Sequence, residues 1–399
     1  MSKLAFFGGE PVRTKKFPAY QVIDEEEKKE VNRILDSGVL SRYLGCWEPD
    51  FFGGPEVQLM EKEWAEYFGV KHAVAVNSCT SGLQVAVGAA GISPGDEVIV
   101  SPYTMAASAT APLWYGAIPV FADIEKEYFC LDPESVKNKI TPRTKAIIVV
   151  DIFGQPYNVE AINQIAKENN LIVIEDCAQA PGATYKGKYA GTLGDIGVYS
   201  LNYHKHIHTG EGGVIVTNDD KLANKLRLIR NHAEAVVGDK GETDLVNMVG
   251  ANFRLTYSPK VREGASHVYY QQAFFFFLEI IGVSRDLFIK AVQAELPVVE
   301  LRETEGKKVE CGYVKPLYLL PLFQKKIAFG DKGFPFVSEF YHGQANYDKG
   351  LCPVAEKLHF QELFTHEYMR PPATKEDLDD FVKAFKKVYN NREELKKMV

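Results

Sequence analysis

From His72 to Asp219 the sequence repeats one device, a short apolar run followed by a helical stretch. HAVAV (72–76), EVIVS (97–101), IPVFADI (118–124), KAIIVVDIFG (145–154), LIVIEDCAQ (171–179), IGVYSLN (196–202) and GGVIVTND (212–219) are the strands this pattern predicts. Between them stand TSGLQVAVGAAG, MAASATAPLWYG and NVEAINQIAKEN, the second kinked or shortened by Pro112. Apolar strands buried on both faces and alternating with helices can satisfy their surfaces only in a mostly parallel α/β sheet. Ahead of the repeat, DEEEKKEVNRILDSG (24–38) predicts a helix with its acids at the start and Gly38 past its end. A second helix begins at Pro55.

The rest of the chain is less regular. Residues 241–266 are polar, HVYYQQAFFFFLEI is strand-like, SRDLFIKAVQAEL is helical, and KEDLDDFVKAFKKVYNNREELKKM is a strong amphipathic helix. The expected division is an N-terminal segment at 1–14, a large domain at 15–240 and a smaller C-terminal α+β domain at 241–399. With 399 residues there is ample core for both domains.

Composition narrows the function classes. A chain that is 46% hydrophobic and 25% charged folds, and a net charge of −7 argues against nucleic acid, whose phosphates demand clustered Lys and Arg. The six cysteines include no Cys-x-x-Cys pair, so a structural zinc site is not expected. AFFFFLEII (273–281), interrupted by Glu279, is too short to span a bilayer of roughly 30 Å. The expectation is a soluble, cytoplasmic protein without a membrane partner.

Three features carry chemistry. Asp176 closes the apolar strand LIVIED, where parallel sheets place ligand-binding groups, although a helix cap would use an acid there too. NSCTSG (77–82) joins a strand to an apolar helix, offering hydroxyls and backbone N–H groups at the positive helix end; it is a phosphate turn or an ordinary N-cap, and it lacks the Walker element. YSLNYHKHIHTGEGG (199–213) sets Lys205 between His204 and His206, with His208 beyond. Extended, the three histidines would share one face, but no acid or cysteine of suitable spacing accompanies them, so no metal is expected. Lys205 itself is a surface lysine or an amine that forms a Schiff base with a carbonyl. Together, a phosphate cradle, a strand-end acid and a nucleophilic lysine meet the needs of pyridoxal 5′-phosphate (PLP).

The sequence resembles the DegT/DnrJ/EryC1/StrS family of sugar aminotransferases, on PLP fold-type I. The likeness runs in the family's order through GGEPVR, SGVLS, FFGGPEV, NSCTSGL, GDEVIVSPYT, TPRTKAIIVV, EDCAQAPGATYKGK, GDIGVYSLNYHK, TGEGGVIVTND and NFRLT, and resumes in GYVKPLYLLPLFQ and CPVAEKLHFQEL. The resemblance implies that Lys205 is the Schiff-base lysine and acid–base group. It implies that Asp176 partners the pyridine nitrogen and that Gln179 lies near the cofactor's phenolic oxygen. Ser78, Cys79 and Thr80 match the phosphate turn, where the family more often has glycine in place of Cys79, and Ser200 matches a further phosphate ligand. Asn252 matches an asparagine delivered to the neighbouring subunit's phosphate, which implies a homodimer with shared sites. Met105 stands where the family usually stacks an aromatic ring on PLP, and a polarizable sulfur can pack there. YSPKVREGAS (257–266) replaces much of a helical connection that the family places near its dimer interface.

The implied activity is transfer of an amino group from glutamate or glutamine to a nucleotide-linked keto sugar, within amino-sugar and polysaccharide biosynthesis. Alternatives that share the resemblance are an aminotransferase of a keto-cyclitol, a PLP sugar dehydratase, which has histidine in place of the lysine, and a non-catalytic homologue. Counting back from Gly210 puts Lys205, and neither flanking histidine, at the family's lysine position.

Overall fold

The computed structural model describes residues 3–20, 23–240, 248–255, 271–300, 303–369 and 373–398. They divide into two compact units: Asp24–Val268 with Pro316–Pro353, and Met1–Ile23 with Tyr269–Lys315 and Val354–Val399.

The larger unit is built on a seven-stranded sheet. Its strands are β1 (His72–Val76), β2 (Glu97–Val100), β3 (Ile118–Phe121), β4 (Thr144–Val150), β5 (Ile172–Asp176), β6 (Ile196–Ser200) and β7 (Gly213–Thr217), in the order β1-β7-β6-β5-β4-β2-β3. All pairings are parallel except those of β7, which runs antiparallel to both β1 and β6. The unbroken apolar runs are explained by burial, since every residue of β6 and β7 is shielded from solvent.

Helices α1 (Glu25–Ser37), α2 (Pro55–Phe68), α3 (Cys79–Ala89), α4 (Ala106–Thr110), α5 (Pro133–Lys137), α6 (Val159–Asn169), α7 (Asp220–Arg230) and α8 (Ala233–Lys240) come in the expected order. Asp24 and Glu27 form a capping box at the start of α1. As Pro112 requires, α4 stops at Thr110 and a 3₁₀ turn takes over at Pro112–Tyr115. The helix expected over KLANKLRLIRNHAE is divided. Residues 229–232 exchange backbone bonds with 251–253, including Ala251 N–H to Ile229 O at 2.7 Å and Phe253 N–H to Arg230 O at 3.1 Å, and His232 turns to a φ of 50°. Glu61 of α2 accepts from Arg230 at 2.5 Å and from the Ala75 N–H at 2.8 Å, a buried ion pair that ties α2, α7 and β1 together.

Residues 316–353 belong to this unit, whereas the sequence pattern groups them with the C-terminal domain. Tyr347 donates to Pro119 O at 2.9 Å, Leu317 N–H to Pro102 O at 2.8 Å, and Phe323 stacks edge-on against Phe121.

The smaller unit has a three-stranded antiparallel sheet, β8 (Gln272–Phe275), β9 (Val309–Cys311) and β10 (Leu363–His366), with β10 in the middle, plus α9 (Arg285–Glu295) and α10 (Lys375–Asn390). The described residues among the first 23 fall here, and not partly with the large domain as the expected boundary at 14/15 had it. Leu4 and Phe17 sit in the same core as Phe288, Val292 and Val388. Buried Glu295 accepts from the N–H groups of Ala5 (2.8 Å) and Val12 (3.1 Å) and pairs with Lys387 (2.7 Å). Most of the polar stretch 241–266, and the shortened segment 257–266 with it, lies outside the described residues. Among the described residues no helix is long and apolar enough to cross a membrane.

Candidate active site

Several strand ends converge at the carboxyl edge of the large sheet. Val76, the last residue of β1, pairs with Gly213 at the start of β7, and Gly213 pairs on its other side with Ser200, the last residue of β6. Next in the sheet, β5 ends at Asp176 in register with Val198. Open α/β sheets bind ligands beyond this edge.

The turn after β1 is built by its own hydroxyls. Ser78 caps α3, its Oγ accepting from the Ser81 N–H at 3.1 Å, while Ser81 Oγ donates to Asn77 Oδ1 at 2.5 Å. The Ser78 carbonyl accepts from the Gly82 N–H at 3.0 Å. That leaves the N–H groups of Cys79 and Thr80 as the donors the helix does not use itself, at its positive end, with Thr80 exposed. Gly213 lies against this turn: a Cβ there would sit 2.7 Å from the Ser78 carbonyl carbon and 2.8 Å from Cys79 N, so only glycine permits the approach.

Asp176 is buried. Ser108 Oγ donates to its Oδ2 at 2.7 Å, the Ala178 N–H donates to Oδ1 at 3.2 Å, and Cys79 Sγ stands 3.8 Å from Oδ1. Burial pushes the Asp176 carboxyl above its ordinary value, against which the Ser108 and Ala178 hydrogen bonds, the Lys205 charge and the Cys79 contact favour the ionised form. Burial and the neighbouring Asp176 both hold the Cys79 thiol protonated, so it is a poor nucleophile.

Lys205 lies in the turn after β6. Its N–H donates to Asn202 O at 2.8 Å, and the loop closes through Leu201 N–H to Gly212 O (2.8 Å) and Tyr203 N–H to Gly210 O (2.8 Å). The histidines around it are therefore on a folded turn, where the shared face of an extended segment does not arise, and among the described residues no group of three His, Cys, Asp or Glu could hold a metal. The positive charge of Lys205 acts on both Asp176 and Cys79, so the turn after β1, the acid and the amine share one electrostatic neighbourhood.

The other predicted residues vary in burial. Gln179 is buried and its Oε1 accepts from the Phe153 N–H at 2.8 Å. Ser200 is buried, its Oγ accepting from the Asn202 N–H at 3.3 Å. Met105 precedes α4 and is 55% exposed, while Asn252, bridged through its backbone to Asn231, is exposed. Sequence reasoning missed Ser108, which lies in the bland run AASAT and is marked out only by the fold that carries it to Asp176.

This architecture is that of an aminotransferase. It matches the X-ray structure of the aminotransferase from Psychrobacter cryohalolentis with a TM-score of 0.75 and 26% identity, covering 94% of this chain and 99% of that one. The chain belongs to the DegT/DnrJ/EryC1/StrS aminotransferase family, whose model matches residues 21–258. It is 44% identical over 211 residues to the spore coat polysaccharide biosynthesis protein SpsC of Bacillus subtilis, covering 53% of this chain and 51% of that protein. It is 47% identical over 224 residues to the GDP-perosamine synthase of Caulobacter vibrioides, covering 56% and 59%. In these matches the chain spans about half to three fifths of the length of its curated relatives.

The residues present fit PLP. Unused N–H groups at the start of α3 are of the kind that suits a phosphate, Asp176 Oδ1 has a 3.2 Å amide and a long sulfur contact to displace or share, and Lys205 is an amine on the turn after the neighbouring strand.

Proposed function

We propose that the protein is a PLP-dependent aminotransferase that converts a nucleotide-linked keto sugar to an amino sugar, with glutamate or glutamine as amino donor. The single observation that carries this reading is the convergence of strand ends at one edge of the sheet, which sets buried Asp176 3.8 Å from Cys79 Sγ at the open N-terminus of α3, with Lys205 on the turn that follows the neighbouring strand β6. When bound, PLP supplies an electron sink and carries the amino group from donor to acceptor.

The chain's residues have separable tasks in this reading. The N–H groups of Cys79 and Thr80, with the hydroxyls of Ser78, Thr80 and Ser200, bind phosphate. Asp176 holds a proton on the pyridine nitrogen, and Gln179 donates its amide to the phenolic oxygen. Lys205 Nζ would hold the aldehyde carbon and, as the free amine, would take and return the proton. Met105 packs near the ring, and Asn252 reaches the phosphate site of a second copy, so the working unit is a homodimer.

The test is to load the purified protein with PLP and add glutamate or glutamine. The visible band should bleach as a 2-oxo acid is released, and a keto sugar from a panel of nucleotide-linked sugars should restore it. No change with either donor would remove the aminotransferase reading. Restoration only by inososes would assign a keto-cyclitol, and loss of water without gain of nitrogen would assign a dehydratase. Sedimentation with and without PLP tests the dimer.

Ser108→Ala is a sharper probe of the acid. Removing a hydroxyl bonded to a charged group costs about 1.5–3 kcal/mol, so turnover near neutral pH should fall by about tenfold or more. The lost donor favours the protonated acid, so the acidic limb of the pH–rate profile should move to higher pH. A limb that stays in place would remove Ser108 from the support of Asp176.

A further inference from the structure

Behind Asp176 the fold buries two more acids on adjacent strand ends. Asp151, the residue after β4, and Glu175, the penultimate residue of β5, are fully shielded from solvent. Glu175 is held by three backbone donors, the N–H groups of Gly191 (2.6 Å), Leu193 (2.8 Å) and Gly194 (3.1 Å). Asp151 Oδ1 accepts from the Tyr157 N–H at 3.1 Å, while Oδ2 is buried with no donor directed at it. Glu175 is in register with Val149, two residues before Asp151, so the two buried carboxyls share one face of the sheet, where the charge of each acts on the other.

Two carboxyls buried side by side with no cation between them do not both ionise. Glu175 already has donors for its charge, so the proton belongs to Asp151. The surroundings agree. The titratable groups that face Asp151 are Glu175, Asp176, Tyr157, Cys130, Cys177 and Tyr199, none of them cationic. Burial, then the Glu175 charge, pushes Asp151 well above the ordinary carboxylate range.

What the acid holds in place matters to the site. Its N–H donates to Asp176 O at 3.1 Å, and its carbonyl accepts from the Gly154 N–H at 3.3 Å. The turn it anchors at both ends carries Phe153 at a φ of 57°, a left-handed conformation that an unsupported phenylalanine does not favour. The N–H of Phe153 is the group that binds Gln179 Oε1. That bond fixes which way the amide faces, and the NH₂ is the donor such an amide offers a ligand oxygen.

We propose that Asp151 is a positioning residue of this site: a neutral acid buried beside Glu175, it fixes the 151–157 turn so that the Phe153 N–H orients the Gln179 amide as a donor toward the cofactor. This rests on the reading of Gln179 as a cofactor-facing residue. The chemical demand is a phenolate-like oxygen on the ligand, which a fixed N–H donor stabilises.

Two measurements test it. Infrared spectra of the cofactor-free protein at neutral pH should contain the carbonyl band of a buried carboxylic acid, absent from Asp151→Asn and unaltered in Asp176→Asn. PLP titrations should find affinity about tenfold weaker in Asp151→Ala, the worth of one well-placed hydrogen bond. Asp151→Asn should restore it, since an amide is neutral beside Glu175 and can accept from Tyr157 as the acid does. A spectrum in which Asp151→Asn removes no acid band would overturn the proposal even if the alanine variant does not fold. Tight PLP binding by folded Asp151→Ala would overturn it equally. Failure of the wild-type protein to bind PLP at all would sink the reading of Gln179, while the infrared band would still decide where the proton lies.

Discussion

Lys205→Ala is expected to lower transamination by more than about 10⁴-fold, beyond the 10²–10⁴-fold usual for a single proton-transfer group. The excess arises from two tasks that fall on one atom. Lys205 Nζ both anchors the cofactor covalently and moves the proton, and no neighbouring group can assume the first task. The flanking His204 and His206 are the nearest bases in the sequence, yet they lie on a folded turn. Lys205→Arg separates charge from chemistry. Arginine keeps a positive charge beside Asp176 but cannot give up its proton, so this variant should retain PLP better than alanine does and turn over no faster. The check is borohydride reduction of the loaded protein, then peptide mass analysis. A PLP mass should appear on the peptide holding Lys205 and be missing from both variants. Substantial turnover by Lys205→Ala, or a label elsewhere, would displace Lys205 from the site.

Much of this was legible in the sequence because parallel α/β sheets have a low-ambiguity code. Strands buried on both faces must be apolar throughout, so HAVAV, KAIIVV and GVYS announce themselves, and polar residues at their ends stand out against them. Asp176 and the turn at 77–80 were found that way. Ser108 was not, because a serine in a short alanine-rich helix carries no periodic signal, and its meaning comes from a contact 68 residues away. The interruption of α7 was equally hidden: LRLIRNHAE is good helix-forming sequence, and only tertiary pairing of 229–232 with 251–253 overrides it.

Domain boundaries failed for a related reason. Sequence continuity groups residues 15–23 with the helix that begins at Glu25, and residues 316–353 with their C-terminal neighbours. Burial decides otherwise: Phe17 needs the core around Val292 and Val299, and Tyr347 needs Phe121 and Pro119. Asp151 illustrates the limit from the other side. The run KAIIVVDIFG marks it as a strand-end acid, like Asp176, yet the two differ in what the fold sets against them. Asp176 meets a hydroxyl, an amide and the charge of Lys205; Asp151 meets another carboxylate. Residue type is the same, but Val150 and not Asp151 is in register with Asp176, so the two acids face opposite sides of the sheet and meet different surroundings.

Asp176→Asn is expected to leave the protein folded and to lower turnover on the order of 10³-fold, the upper range for loss of one charge-stabilising group. The amide fits the space. Its oxygen can accept from the Ala178 N–H and its nitrogen can donate to Ser108 Oγ, whose own proton then turns to Thr104 Oγ1 at 3.3 Å. What the amide cannot do is hold a proton on the pyridine nitrogen, so the electron sink weakens while the shape stays. Stability should move the other way. The folded Asp176 carboxyl lies above its unfolded value, chiefly through burial, so the cofactor-free protein binds this proton more tightly when folded. That stability is fully present below the unfolded value near 4 and is lost as pH rises through the folded one. Asparagine carries no such dependence, and the cofactor-free variant should therefore gain in Tm relative to wild type as the pH is raised from about 4 toward neutrality. PLP should reverse the order, because in the wild-type protein alone the ionised acid gains a cationic partner, and binding to the folded state stabilises it. Thermal unfolding of both proteins across pH, with and without PLP, checks the crossing. Parallel curves for the two proteins, or wild-type turnover by Asp176→Asn, would mean that this acid is a strand cap and not a partner of the cofactor.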